Sequence, residues 1–190
     1  DSYEISAYAL SKTLAEKAAW DDVKANGGPE LAIINPTLVV GPLLDAQSGT
    51  SVQLIQNLFQ GKYPAVPEIM MGLVDVRDVA KAHVNAMESE SANGKRHLLA
   101  ADTMLLLDMA NTLKGQFPSY ANKFPKFQAP KFLVHILAVF QKPLKGVLPD
   151  IGRTYKLDAT RTRTELGIDF ISTADTLKAT GDSLKEHNLI

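Results

Sequence analysis

Two side chains four residues apart, Tyr8 and Lys12, form the pair in this sequence best suited to moving a proton. On a helix, an i, i+4 spacing places both on one face. Ala15 and Ala19 continue that face with almost no bulk, which leaves room for a ligand. A phenol ordinarily titrates near 10, so bringing one to neutrality takes about 4 kcal/mol of preferential stabilisation of the phenolate. One ammonium at about 4 Å supplies energy of that order at an effective dielectric near 20. A Tyr and a Lys so placed can act as an acid/base unit near neutral pH. Alone, the spacing is a weak signal: there are five tyrosines to generate it by chance, and a surface Tyr stacked over a Lys stem has the same spacing.

The elements that must position this pair alternate between helix and strand. Residues 6–24 read as a helix, because Ala, Leu, Glu and Lys dominate and no Pro or Gly interrupts them before Gly27, Gly28 and Pro29. Leu31 to Asn35 is a short apolar run closed by Pro36, which suits a buried strand. A second helix is predicted over about 51–60, and Tyr63 to Gly72, with two prolines, reads as loop. Leu73, Val74 and Val76 read as a strand. Asp75 and Asp78 stand at the start of a helix reaching about Glu88, where both carboxylates suit its positive end. Further on, 96–101 reads as strand, 103–114 and 131–141 as helices, 158–167 as a short helix capped by Asp158 and stopped at Gly167, and 173–186 as the last helix. There is no internal repeat and no low-complexity tract.

Composition narrows the function classes. At 190 residues with 45% hydrophobic content, the chain can bury roughly two thirds of its unfolded surface as a globular body. A net charge of −1 gives no broad basic field, so neither nucleic acid nor an anionic membrane surface is the expected partner; a small molecule is. With no cysteine there is neither a disulfide nor a thiolate metal site, and cytoplasm is the expected compartment. The strongest apolar stretch, 133–140, is interrupted by His135 and is far shorter than the roughly 20 residues a membrane span requires. The chain starts at Asp1 and shows no signal-peptide pattern, so a missing start is the expectation.

The stretch from Tyr8 through Ser11, Lys12 and Glu16 to Trp20 closely resembles the active-site helix of extended short-chain reductases, especially the dihydroflavonol-reductase-like group of the NAD-dependent epimerase/dehydratase superfamily. Three further motifs follow in that family's order. Asn35-Pro36-Thr37-Leu38 through Gly41-Pro42 resembles the segment beside the nicotinamide. Leu73-Val74-Asp75 through Asp78 to His83 resembles its strand-to-helix element, and Leu157-Asp158 with Glu165-Leu166-Gly167 its last short helix. The resemblance implies an α/β fold: the C-terminal part of an NAD(P)-binding Rossmann-type reductase plus a small mixed α/β substrate domain. Residues 1–49 are then expected to belong to the dinucleotide-binding domain and 50–190 mainly to the substrate domain, with 73–101 packing back on the Rossmann part.

It further implies hydride transfer between NADP or NAD, with NADP preferred, and a small carbonyl compound. Tyr8 would give or take the proton. Lys12 would favour the phenolate and bind the nicotinamide ribose, and Pro36, Thr37 and Leu38 would line the cofactor. The family's Ser or Thr and its Gly-rich phosphate turn lie upstream of its Tyr; Ser2 and Ser6 are too close to Tyr8 to substitute, and no G-x-x-G-x-x-G occurs in these residues. Intact, the protein reads as an enzyme, and these 190 residues alone as inactive. A nucleotide-sugar epimerase or dehydratase is the alternative within the superfamily, and a non-catalytic dinucleotide sensor the alternative outside enzymes.

Other residues have plainer readings. His83 shares a helical stripe with Val79 and Ala86, so a packed core histidine is expected. No His or third carboxylate joins Asp75 and Asp78 at ligand spacing, so capping is expected and no metal. Met70, Met71 and Gly72 are candidate substrate residues, since methionine adapts to irregular apolar shapes, although ordinary core would use Met equally well. The segment 64–72 contains no cation and one negative charge, Glu68, which disfavours a diphosphate-bearing substrate. Plant dihydroflavonol reductases carry a ring-holding glutamine where Gly72 stands, which puts a flavonoid substrate in doubt.

Overall fold

The computed structural model describes residues 7–47, 49–140 and 145–190; Ser2, Ser6 and Gln141, which enter the sequence reading, lie outside them. Helix α1 spans Ala7–Asn26 and stops at Gly27, the first of the breakers. Strand β1, Ile33–Pro36, and strand β2, Leu38–Val40, follow with only Thr37 between them. The chain steps between two sheets at that residue: the Thr37 amide and hydroxyl both donate to the Leu99 carbonyl, each at 3.0 Å.

Helix α2, Thr50–Phe59, leads to strand β3, Met70–Asp75, which runs directly into helix α3, Val76–Glu88. Strands β4, Arg96–Leu99, and β5, Asp102–Leu105, precede helices α4, Leu106–Gln116, and α5, Lys131–Phe140. Helices α6, Thr160–Leu166, and α7, Thr173–Glu186, close the chain. None of the described helices is long and apolar enough to cross a membrane.

The strands form two small sheets. In one, β1 pairs parallel with β4, Ile34 opposite His97 and Pro36 opposite Leu99. In the other, β2 pairs parallel with β3, and β3 pairs antiparallel with β5. Because side chains alternate along a strand, β3 feeds two cores. Leu73 joins a large cluster with Val40, Phe59, Met109 and Leu177, while Val74 joins a second with Ala82, Leu99, Leu166 and Ile168. Both faces being covered explains the near-continuous burial from Gly72 to Asp75.

The large cluster is organised around Phe59, which is 1% exposed. Its ring meets those of Phe117, Tyr120 and Phe124 edge-on, with centroids 5.1, 5.3 and 5.0 Å away, the arrangement the aromatic quadrupole favours. α7 comes close to this group because position 181 is glycine. A Cβ there would lie 2.5 Å from Phe117 Cζ and 3.0 Å from Phe59 Cζ.

Three local expectations are corrected. The helix expected from Thr103 starts only at Leu106, and 102–105 is strand. The free edge of β3 needs backbone partners, and Thr103 and Met104 supply them opposite Gly72 and Met71. β3 itself begins at Met70, inside the segment read as loop, for the same reason, and Val76 opens α3 instead of extending the strand. His83 is exposed rather than core; its Nδ1–H donates to the Val79 carbonyl at 2.8 Å. The buried stripe of α3 runs through Ala82, flanked by half-buried Val79 and Ala86, and His83 falls at its margin. The fully buried histidine is His97 on β4, bonded through Nε2 to Glu165 at 3.2 Å.

Candidate active site

Tyr8 and Lys12 lie near the start of α1, and Tyr8 is 73% exposed. The Lys12 ammonium is 5.8 Å from the Tyr8 ring centroid, so the two side chains share a face as their spacing requires. No α1 residue is fully buried. Its inward side consists of Glu16, Ala19, Trp20 and Val23, each half-buried.

One turn beyond Lys12, Glu16 holds the helix to the strands. Its carboxylate forms an ion pair with Arg96 at the start of β4, accepts a second Arg96 hydrogen bond at 3.2 Å, and accepts from Asn35 Nδ2 at 3.5 Å and Trp20 Nε1 at 3.2 Å. Burial alone raises such a carboxyl, but the Trp20, Arg96 and Asn35 bonds outweigh it and hold Glu16 below the usual carboxylate range. The sequence motif contains Glu16 without assigning it a role; its position four residues after Lys12, on the face of that pair, is the signal that could have found this tie to the strands.

Asn35 precedes Pro36, so the Glu16 contact also links α1 to the segment 36–38. Thr37 has committed its amide and hydroxyl to Leu99, and those two donors are not available to a ligand. Leu38 sits in β2 opposite Leu73. Gly72 is brought to Thr37: a Cβ at position 72 would lie 2.8 Å from Thr37 Cγ2 and 2.6 Å from Leu157 Cδ1. Two candidates from separate motifs therefore touch, and a glutamine at position 72 has no room unless its neighbours move. Met70 and Met71 are half-buried in β3. Tyr155 folds over Met70, its Oη–H donating to the Met70 carbonyl at 2.8 Å and its amide to Sδ at 3.3 Å. Met71 packs between the large core and a third cluster around Ile69, Val134 and Ile151.

Beyond Leu157 opens a cleft of about 520 Å³ floored by Ala100, Ala101 and Thr103 and edged by Lys156, Asp158 and Arg163. A smaller recess of about 370 Å³ lies among Asn35, Arg96, Leu98 and Arg161, against the Glu16 partners. Neither is lined by Tyr8 or Lys12. Arg163 stacks on Phe170 at 4.7 Å, and the side chains of Arg153, Arg161 and Arg163 are all exposed.

The sequence pattern of the NAD dependent epimerase/dehydratase family matches residues 1–101, more than half of the chain. The chain belongs to that family. Among curated proteins, a cinnamoyl-CoA reductase of Medicago truncatula is 34% identical over 179 residues, covering 94% of this chain and 48% of that protein. An NADPH-dependent methylglyoxal reductase of Saccharomyces cerevisiae is 29% identical over 95% of this chain and 51% of that protein. The yeast methylglyoxal/isovaleraldehyde reductase crystallised with NADPH superimposes with a TM-score of 0.74 at 28% identity, over 96% of this chain and 52% of its own. The chain thus spans about half the length of the curated relatives it matches.

In this family member the two carboxylates at the head of α3 do different work. Asp75 caps the helix by accepting from the Arg77 amide at 2.9 Å, and it takes two guanidinium bonds from Arg77 at 2.9 and 2.8 Å. Burial pushes its carboxyl up, but the Arg77 bonds prevail and the net direction is down. Asp78 is not a cap, contrary to the expectation from sequence. Its Oδ2 accepts from the Ile171 amide at 2.8 Å, fastening the approach to α7, and burial holds its carboxyl above the usual range.

The stability consequences have opposite signs. With its folded value depressed, Asp75 stabilises above the unfolded carboxylate value near 4, and that stability is lost as pH falls through the folded value. With its folded value raised, Asp78 contributes in acid, and that contribution is lost as pH rises through the folded value. Asp75→Asn is expected to destabilise at neutral pH. Asp78→Asn keeps an acceptor for Ile171 and removes a buried charge, so it is expected to stabilise at neutral pH, with the gain vanishing below about pH 4. Urea unfolding from neutral pH down to about pH 2.5 checks both, the Asp78→Asn difference changing above about pH 4 and the Asp75→Asn difference only below it; equal pH dependence in the two variants would contradict the assignment.

Proposed function

We propose that this chain is the C-terminal portion of an NADPH-dependent reductase that converts a small aldehyde or ketone to the alcohol. The observation that carries the reading is the exposed Tyr8 phenol with the Lys12 ammonium over its ring, on a helix of a chain that belongs to this family. Relatives named as NADPH-dependent reductases support the cofactor and the reaction class. The reading divides the chain at about residue 49. The Tyr8 helix and β1 then belong to the dinucleotide-binding part, to which 73–101 returns; pairing of β4 with β1 supports this.

When bound, reduced nicotinamide supplies the hydride to the carbonyl carbon. The residues of this chain do the rest. Tyr8 Oη hydrogen-bonds the carbonyl oxygen and gives it a proton as negative charge develops there. Lys12 stabilises the resulting phenolate and reaches the ribose hydroxyls. The exposed phenol and ammonium fit the ribose end of the cofactor, and Pro36, Thr37 and Leu38 line its nicotinamide end, with Thr37 contributing neither its amide nor its hydroxyl. Half-buried Met70 and Met71 give the substrate side apolar surface without a cation, and Gly72, buried against Thr37 and Leu157, adds no polar side chain there, which suits a compact carbonyl compound better than a sugar diphosphate.

The test compares kcat/KM of the full-length protein with NADPH for small aliphatic and aromatic aldehydes, a dihydroflavonol and a UDP-sugar. The aldehydes are expected to be preferred by at least about tenfold over the dihydroflavonol, because its hydroxylated ring meets no hydrogen-bonding side chain at position 72. Preference for the UDP-sugar would refute the apolar-pocket argument, and preference for the dihydroflavonol would show that a flavonoid ring is held without a side chain at that position.

A further inference from the structure

α1 carries the proposed proton donor, yet within the described residues it buries no side chain completely. Half-buried Ala19, Trp20 and Val23 give it apolar contact, but such contact is non-directional and does not fix where along the strands a helix sits. Glu16 provides direction. Its two oxygens are held by a guanidinium from β4, an amide from β1 and the indole of Trp20 one turn further on the same helix. The Arg96 ion pair is charge-assisted and directional, and the Asn35 and Trp20 bonds to the same carboxylate add two further fixed directions.

The lever is short and the tolerance small. Tyr8 is eight residues from Glu16, about 12 Å along the helix axis, so a tilt of about 5° at Glu16 displaces Tyr8 by about 1 Å. A displacement of that size at a reacting group costs about 100-fold in rate. Asn35, the β1 partner, adjoins Pro36, so the same carboxylate relates Tyr8 and Lys12 to the 36–38 segment. We propose that Glu16, clasped by Arg96 and Asn35, is the positioning residue that sets the placement of the Tyr8–Lys12 pair against residues 36–38. Glu16 touches neither substrate nor cofactor in this role. The proposal rests on the reductase reading for its kinetic consequence, but not for its structural one.

The experiment uses the full-length protein with Glu16→Gln and, independently, Arg96→Gln, which breaks the same clasp from the exposed strand side. Two quantities are read: steady-state kinetics with NADPH and a small aldehyde, and amide hydrogen exchange across residues 7–26. Each variant is expected to lower kcat by about 10- to 100-fold with the aldehyde KM and NADPH affinity within about threefold, and to speed exchange in α1 while β3 and α7 keep wild-type protection. Unchanged kcat and unchanged α1 exchange in both variants overturn the proposal. So does a loss of kcat accompanied by faster exchange throughout the protein, which marks a general stability role. An inactive wild-type protein would defeat the reductase reading alone, since faster exchange confined to α1 would still support the clasp and unchanged exchange would still refute it.

Discussion

Replacing Tyr8 by phenylalanine in the full-length protein is expected to slow the chemical step by at least about 100-fold, the usual worth of a general acid. NADPH affinity should change by less than about threefold. On the proposed mechanism the phenol hydroxyl acts as charge develops on the carbonyl oxygen, so its removal acts on the transition state and lowers kcat and kcat/KM together. On the same mechanism the Lys12 ammonium also holds the ribose hydroxyls, so Lys12→Ala is expected to weaken cofactor binding as well. Single-turnover kinetics with fluorescence titration of NADPH separates these effects. Near-normal turnover by the Tyr8→Phe variant would remove Tyr8 from the mechanism and leave the stacked Tyr–Lys pair as surface packing.

The second large effect concerns folding. Phe59→Ala is expected to cost about 4 kcal/mol, in the range for emptying a buried aromatic site. Phe59 is central to three edge-on ring contacts and lies against Gly181 of α7, so the void borders α2, the 117–124 segment and α7 together. Surrounding rings fill such a space poorly. For a chain of this length, that loss corresponds to a fall in Tm of roughly 10 °C. Calorimetry or denaturant unfolding gives the value. A loss below about 1 kcal/mol would mean that the aromatic group repacks, and would contradict its place as the organising centre of the larger core.

The parts of this fold legible in the sequence are those set by local chemistry. α1 is written in its run of helix formers and the Gly27 stop. α3 is written in Asp75 ahead of an amphipathic stripe, and the end of α6 in Gly167, which takes the left-handed conformation at φ 60°. What was illegible depends on long-range partners. Leu105 reads as helix until β3 is seen to need an edge, and Asp78 reads as a cap until Ile171, far along the chain, appears at its oxygen. His83, read as core from its stripe, falls at the margin of the buried face, and His97 drew no reading because a single inward position on a four-residue strand leaves no periodic signal.

For the site, the i, i+4 spacing and the family resemblance located the Tyr8–Lys12 face. They gave no hint that Glu16 ties that face to Arg96, some 80 residues later in the chain. The approach of Gly72 to Thr37 was likewise hidden, since it follows from the parallel pairing of β2 and β3 rather than from either motif.

The central claim is that this chain carries the proton-transfer half of a carbonyl reduction, and isotope transfer tests it most directly. Full-length protein is incubated with NADPH deuterated at the transferable C4 position and a small aldehyde, and the product alcohol is weighed by mass spectrometry. In wild type the deuterium is expected to move to the carbonyl carbon, and Tyr8→Phe is expected to transfer it at least about 100-fold more slowly. An alcohol product without label, or transfer at the same rate in both proteins, would contradict that claim.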